Sequence, residues 1–70
     1  MTTAQKIRMV LALRRMSEAE LARLIGSTPS AFNQRMKTDK FSSIEMEHIA
    51  AALNCTYKIE FILNDTGEKV

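Results

Sequence analysis

Cysteine and histidine occur once each, at Cys55 and His48, which leaves metal and redox chemistry little to work with. A single cysteine forms neither an internal disulfide nor a cysteine-based metal site, so Cys55 reads as a small hydrophobe buried near a helix end. His48 lies between Glu47 and Ile49 with no second histidine or cysteine nearby and reads as a surface or boundary residue. There are two glycines, Gly26 and Gly67, and no glycine-rich phosphate loop. Hydroxyl residues fall mostly at caps and turns, where local hydrogen bonding accounts for them, and no nucleophile can be paired with a base. The expectation is a protein that is not an enzyme and carries no cofactor, metal or small-molecule ligand. No apolar run approaches the roughly 20 residues of a membrane span, and the N-terminus lacks the layout of a signal peptide, so a cytoplasmic protein with no membrane partner is expected.

What the chain does have is apolar residues in helical periods and an uneven charge. Its 70 residues make one small domain, and a chain of that size buries only about 60% of its unfolded surface. The net charge of +2 conceals two opposed segments. Residues 1–40 hold eight Lys or Arg against three acids, a balance of +5; residues 41–70 hold two against five, a balance of −3. A basic cluster, Arg35, Lys37 and Lys40, lies within the positive part, and such clusters either reach phosphates or simply balance a helix dipole.

The densest signal runs from Ser17 to Met36. Ser17 is an N-cap with Glu20 three residues on as its capping-box partner, while Met16 and Leu21 are placed as a hydrophobic staple, so a helix begins at Glu18. Leu21, Ala22, Leu24 and Ile25 form its apolar stripe. Gly26 ends it, since glycine takes the left-handed conformation without a Cβ penalty. Thr28 is the next N-cap, and Pro29 stands at the first helical position, where its missing N–H costs nothing. In this second helix Phe32 and Met36 share one side with Ala31 nearby, and Ser30, Asn33, Gln34 and Lys37 gather opposite. Ser and Asn are poor helix formers, so this outer face suggests hydrogen bonding rather than simple solvation.

Helices flank this pair. From Ala4 to about Arg14, Ile7, Val10 and Leu11 face one way and should pack beneath the pair, while Met9, Ala12 and Leu13 form a second apolar patch that needs a cover. Phe41, Ser42, Glu45 and Met46 repeat the staple and capping box and open a last helix that carries Ile49, Ala50 and Leu53 inward, with Asn54 ending it.

With these residues the chain resembles the Cro/repressor-type helix-turn-helix proteins, the XRE family. The resemblance rests on Leu21 and Ala22, Gly26 four residues after the alanine, Thr28, Phe32, and the later Ile49, Ala50 and Leu53; it covers roughly residues 4–56. Glu18 stands where that family often has a glutamine that touches a DNA phosphate. The resemblance implies a mainly α, four-helix domain of the lambda-repressor kind that binds double-stranded DNA as a small transcriptional regulator. The helix from Pro29 would lie in the major groove. Gln34 is then the first choice as base reader because its amide both donates to and accepts from adenine, with Ser30 and Asn33 next. Thr28, Arg35, Lys37 and Lys40 are the expected backbone contacts.

After Cys55 the period changes from 3.6 to 2. Tyr57, Ile59, Phe61 and Leu63 alternate with Lys58, Glu60 and Ile62, the pattern of a β-strand, and residues 64–67 read as a turn before a short return over 68–70. A domain of residues 1–56 followed by a strand or hairpin over 57–70 is therefore expected. A lone hairpin is unstable, so it either folds back on Met9 and Leu13 or pairs with a second copy. The homodimer is favoured, with Tyr57, Ile59, Phe61 and Leu63 at its interface, because regulators of the resembled class read two half-sites. The alternative function is a protein-interaction module on the same fold.

Overall fold

A computed structural model describes all 70 residues. It contains four helices: α1 over Thr3–Arg14, α2 over Glu18–Leu24, α3 over Pro29–Thr38 and α4 over Ser43–Ala52. Each begins at a hydroxyl residue. Thr2, Ser17 and Ser42 cap α1, α2 and α4 in full capping boxes with Gln5, Glu20 and Glu45, and the Thr28 hydroxyl accepts from the Ala31 N–H at 3.1 Å to open α3. Each such cap is worth about 1 kcal/mol. The helix starts at Glu18 and Pro29 agree with the sequence reading. The α1 box does not figure in that reading, although the Thr2–Gln5 spacing carries its signal.

The helix ends follow one rule with different residues. Behind α2 the Gly26 N–H donates to the Arg23 carbonyl at 3.1 Å and the Ser27 N–H to that of Ala22 at 2.8 Å, a Schellman closure around a glycine with φ of 75°. A Cβ at Gly26 would meet nothing within 4 Å, so glycine is favoured there by backbone conformation alone. Behind α1 the same closure turns on Arg15 and behind α4 on Asn54, at φ of 54° and 55°. Asp39 ends α3 at φ of 57°.

Nine buried residues from all four helices form one core: Ala4, Ile7, Leu11, Leu21, Ala22, Phe32, Met36, Ile49 and Leu53. No polar residue is buried among them. Phe32, Leu21 and Ile49 are the largest side chains fully sealed from water, and each contributes about 1.5–3 kcal/mol through burial. Phe41 flanks the core with its ring centroid 6.3 Å from that of Phe32, in a tilted arrangement.

Long-range hydrogen bonds of Asp39 and Arg14 tie α1 at both ends. The Asp39 carboxylate accepts the Ala4 N–H at 2.7 Å, satisfying an orphan donor in the first turn of α1 from the far end of α3. At the other end, Arg14 donates through Nε to the Leu53 carbonyl at 2.9 Å and through Nη2 to that of Asn54 at 3.1 Å, which places a cation just past the C-terminal end of α4.

The C-terminal strand expected over 57–63 does not form. One antiparallel bridge joins Ile62 to Lys69, flanked by paired hydrogen bonds between Phe61 and Val70. Residues 57–60 lie opposite no partner, and an alternating segment with nothing alongside it has no ladder to join. The turn over 64–66 is present. Nor does the tail cover the second patch of α1: Met9 and Leu13 stay 54% and 79% exposed. Leu24, expected in the apolar stripe of α2, is also exposed, because the core-facing side of the helix is centred between Leu21, Ala22 and Ile25 and Leu24 lies on the flank away from it.

Candidate nucleic-acid interface

α2 and α3 pack directly on one another around the Gly26 turn. Ala22, fully buried, presents the small side chain that permits this approach, and Phe32, equally buried, anchors α3 in the core. With Phe32 and Met36 turned into the core, the helical period leaves Ser30, Asn33, Gln34 and Lys37 on the outer face, and all four are exposed. None of these side chains takes part in any hydrogen bond or ion pair within the molecule. An α-helix with its side chains is about 10–12 Å across, which suits a B-DNA major groove roughly 12 Å wide, and the ten residues of α3 extend about 15 Å at 1.5 Å per residue.

The other expected contacts divide into two groups. Thr28 is exposed at the start of α3, with its hydroxyl already accepting from Ala31, and Lys37 and Lys40 are exposed at and beyond its end, free of ion pairs. Arg35 is different. Its Nε lies 2.8 Å from Glu45 Oε2, its Nη2 donates to the Ser27 hydroxyl at 3.2 Å, and its guanidinium carbon is 6.0 Å from the centre of the Phe32 ring. The two facing atoms of the Arg35–Glu45 contact are closed off from water and have no partner but each other; the contact is that of an ion pair rather than an aligned hydrogen bond. Arg35 thus links the α2–α3 turn, α3 and α4, with its stem against the core and its charge already compensated.

Sequence reasoning missed this brace, along with the Asp39 and Arg14 ties. No local spacing rule marks a partner ten, thirty-five or thirty-nine residues away. Glu18, at the N-terminus of α2, has one carboxylate oxygen shielded from water without a hydrogen-bond partner.

No group of three or more His, Cys, Asp or Glu residues is placed to hold a metal ion, and no helix is long and apolar enough to cross a membrane.

A short helix, a glycine turn and a second helix with a free polar face, set on two bracing helices, define a helix-turn-helix domain. Residues 6–58 match the Cro/C1-type HTH DNA-binding domain, and the chain belongs to that family. No curated protein and no solved structure matches the chain. The match supports DNA binding by a small regulator.

Proposed function

We propose that the protein is a transcriptional repressor that occupies a two-fold symmetric operator as a homodimer, with α3 of each copy in the major groove. The observation that carries this reading is the outer face of α3, where Ser30, Asn33, Gln34 and Lys37 are exposed and their side chains are hydrogen-bonded to nothing in the protein. Gln34 reads a base, most favourably adenine, at about 1–3 kcal/mol against a wrong base, with Ser30 and Asn33 beside it. Thr28, Lys37 and Lys40 grip phosphates. Arg35, held by Glu45, serves mainly to fix the pose of α3.

Tyr57, Ile59, Phe61 and Leu63 supply the dimer contact, which sets the two reading helices about 34 Å apart, one turn of DNA. Support for this comes from the exposure of Ile59 and Phe61, at 60% and 72%, in a tail that has no partner in the single copy. Repression follows from occupancy, because a dimer seated on a promoter excludes polymerase.

The test is selection of bound duplexes from a randomised library with wild type and Gln34→Ala in parallel. A symmetric site should be enriched, with preference relaxed at specific positions by the substitution. Absence of enrichment by folded wild-type protein would refute the reading and favour the interaction module. Titration with salt adds a second readout, since several phosphate contacts make log affinity fall steeply with log salt.

A further inference from the structure

An apolar-floored groove lies away from the reading face, between α1, α4 and the chain that leaves α4. It has a volume of about 290 Å³, roomy enough for one or two large apolar side chains. Its floor is apolar, with Ile7 and Val10 from α1 and Met46 and Ile49 from α4, and its polar rim includes Lys6 and Lys58. No acid lines it, and neither lysine is in an ion pair. The groove therefore suits an occupant that is apolar in the middle and acidic at the edge.

The same chain carries such a segment. Every residue from Lys58 to Val70 is exposed, and the outline of the molecule is drawn out to 43 × 23 × 20 Å. The tail displays Ile59, Phe61 and Ile62 at 60%, 72% and 60% exposure, flanked by Glu60, Asp65 and Glu68. Glu60 is held only by Lys69, at 3.8 Å and in solvent, a contact worth little. A hairpin of so few pairs also needs something to pack against.

We infer that the tail of one copy docks in the α1–α4 groove of a second copy and receives that copy's tail in return. Phe61 enters the apolar floor, and the acids of the tail meet Lys6 and Lys58 at the rim. The exchange is closed by a two-fold axis, so each contact is made twice, which brings a short tail toward the roughly 1,200 Å² that a specific interface buries. This rests on the homodimer reading above and adds to it the receiving surface, which lies on α1 and α4 rather than on a second tail.

Two variants and their mixture test it, with sedimentation equilibrium in the absence of DNA as the readout and helical circular dichroism as the check on folding. Thr3→Glu/Lys6→Glu turns the α1 rim acidic without touching the tail, and acids in the first turn of a helix are well tolerated. Glu60→Lys/Glu68→Lys turns the tail basic. Each variant alone should raise the dimer dissociation constant about tenfold or more through like-charge contact. Mixing the two should restore association as a one-to-one heterodimer, since the basic tail then faces the acidic groove and the acidic tail the unaltered basic one. A groove variant that dimerises like wild type would overturn the inference in favour of tail-to-tail pairing and leave the homodimer intact. Failure of the mixture to recover would overturn it as well. A wild type that stays monomeric would remove the homodimer reading itself, and DNA selection reports separately on the reading face.

Discussion

Replacing Asp39 should destabilise the domain far more than its exposed position suggests. Its carboxylate accepts the Ala4 N–H at 2.7 Å, a charge-assisted bond to an orphan donor of α1, and the α1 dipole that favours its negative charge is set against that of α3, which Asp39 ends. Hydrogen bonds to charged groups contribute about 1.5–3 kcal/mol, and partial exposure places this one near the lower part of that range, about 2 kcal/mol. Asp39 also holds φ at 57°, a conformation Asp tolerates better than Ala, so Asp39→Ala adds backbone strain. For a domain of this size, a loss of about 2 kcal/mol lowers Tm by roughly 8–16 °C.

The substitutions separate the contributions. Asp39→Asn keeps the acceptor and the tolerated backbone and should lose only about 0.5–1 kcal/mol from the charge. Asp39→Gly relieves the backbone but loses the contact, so it should fall between Asn and Ala. Urea unfolding followed by circular dichroism gives the free energies, and hydrogen exchange at the Ala4 amide reports the bond directly. An Asp39→Ala protein as stable as wild type, or an Asn variant as damaged as Ala, would refute the reasoning.

Further expectations use the same methods. Arg15→Gly should stabilise by about 0.5–1 kcal/mol, because Arg15 holds φ at 54° with no side-chain hydrogen bond to reward it; a loss of stability in urea would contradict this. Phe32→Ala removes the largest sealed side chain of the core and should cost about 3–5 kcal/mol, enough to abolish a cooperative thermal transition in so small a domain. A double-mutant cycle on Arg35→Ala and Glu45→Ala should give a coupling of about 1 kcal/mol, intermediate between exposed and buried pairs because both side chains are about one-third exposed, at 31% and 34%. Glu18→Gln removes a carboxylate with a shielded, unpartnered oxygen at the start of α2 and should tighten DNA binding several-fold at low salt, with the gain shrinking as salt rises; an unchanged affinity would show that the site lies away from the phosphates.

The helical part of this architecture is legible in the sequence because its signals are local. Ser17 with Glu20, Pro29 after Thr28, and Ser42 with Glu45 each announce a helix start within four residues, and the 3.6-residue period separates Phe32 and Met36 from the polar face of α3. The tail was misleading for the opposite reason. Alternation from Tyr57 to Leu63 specifies a strand only where a second strand lies alongside, and the chain supplies one for a single bridge. Arg35, Asp39 and Arg14 reveal their partners only once the helices are packed, since a surface charge has the same local pattern whether it faces water or a carbonyl across the fold.

The side chains of Ser30, Asn33 and Gln34 are exposed and have no internal polar partner, so folding places almost no demand on their identity. The framework behaves as a chassis, with the brace, the caps and the core on one side of α3 and the lettering on the other. New target preferences can arise through changes at these positions without a stability debt, and a library randomised at the three sites should remain folded while its members diverge in the DNA they select.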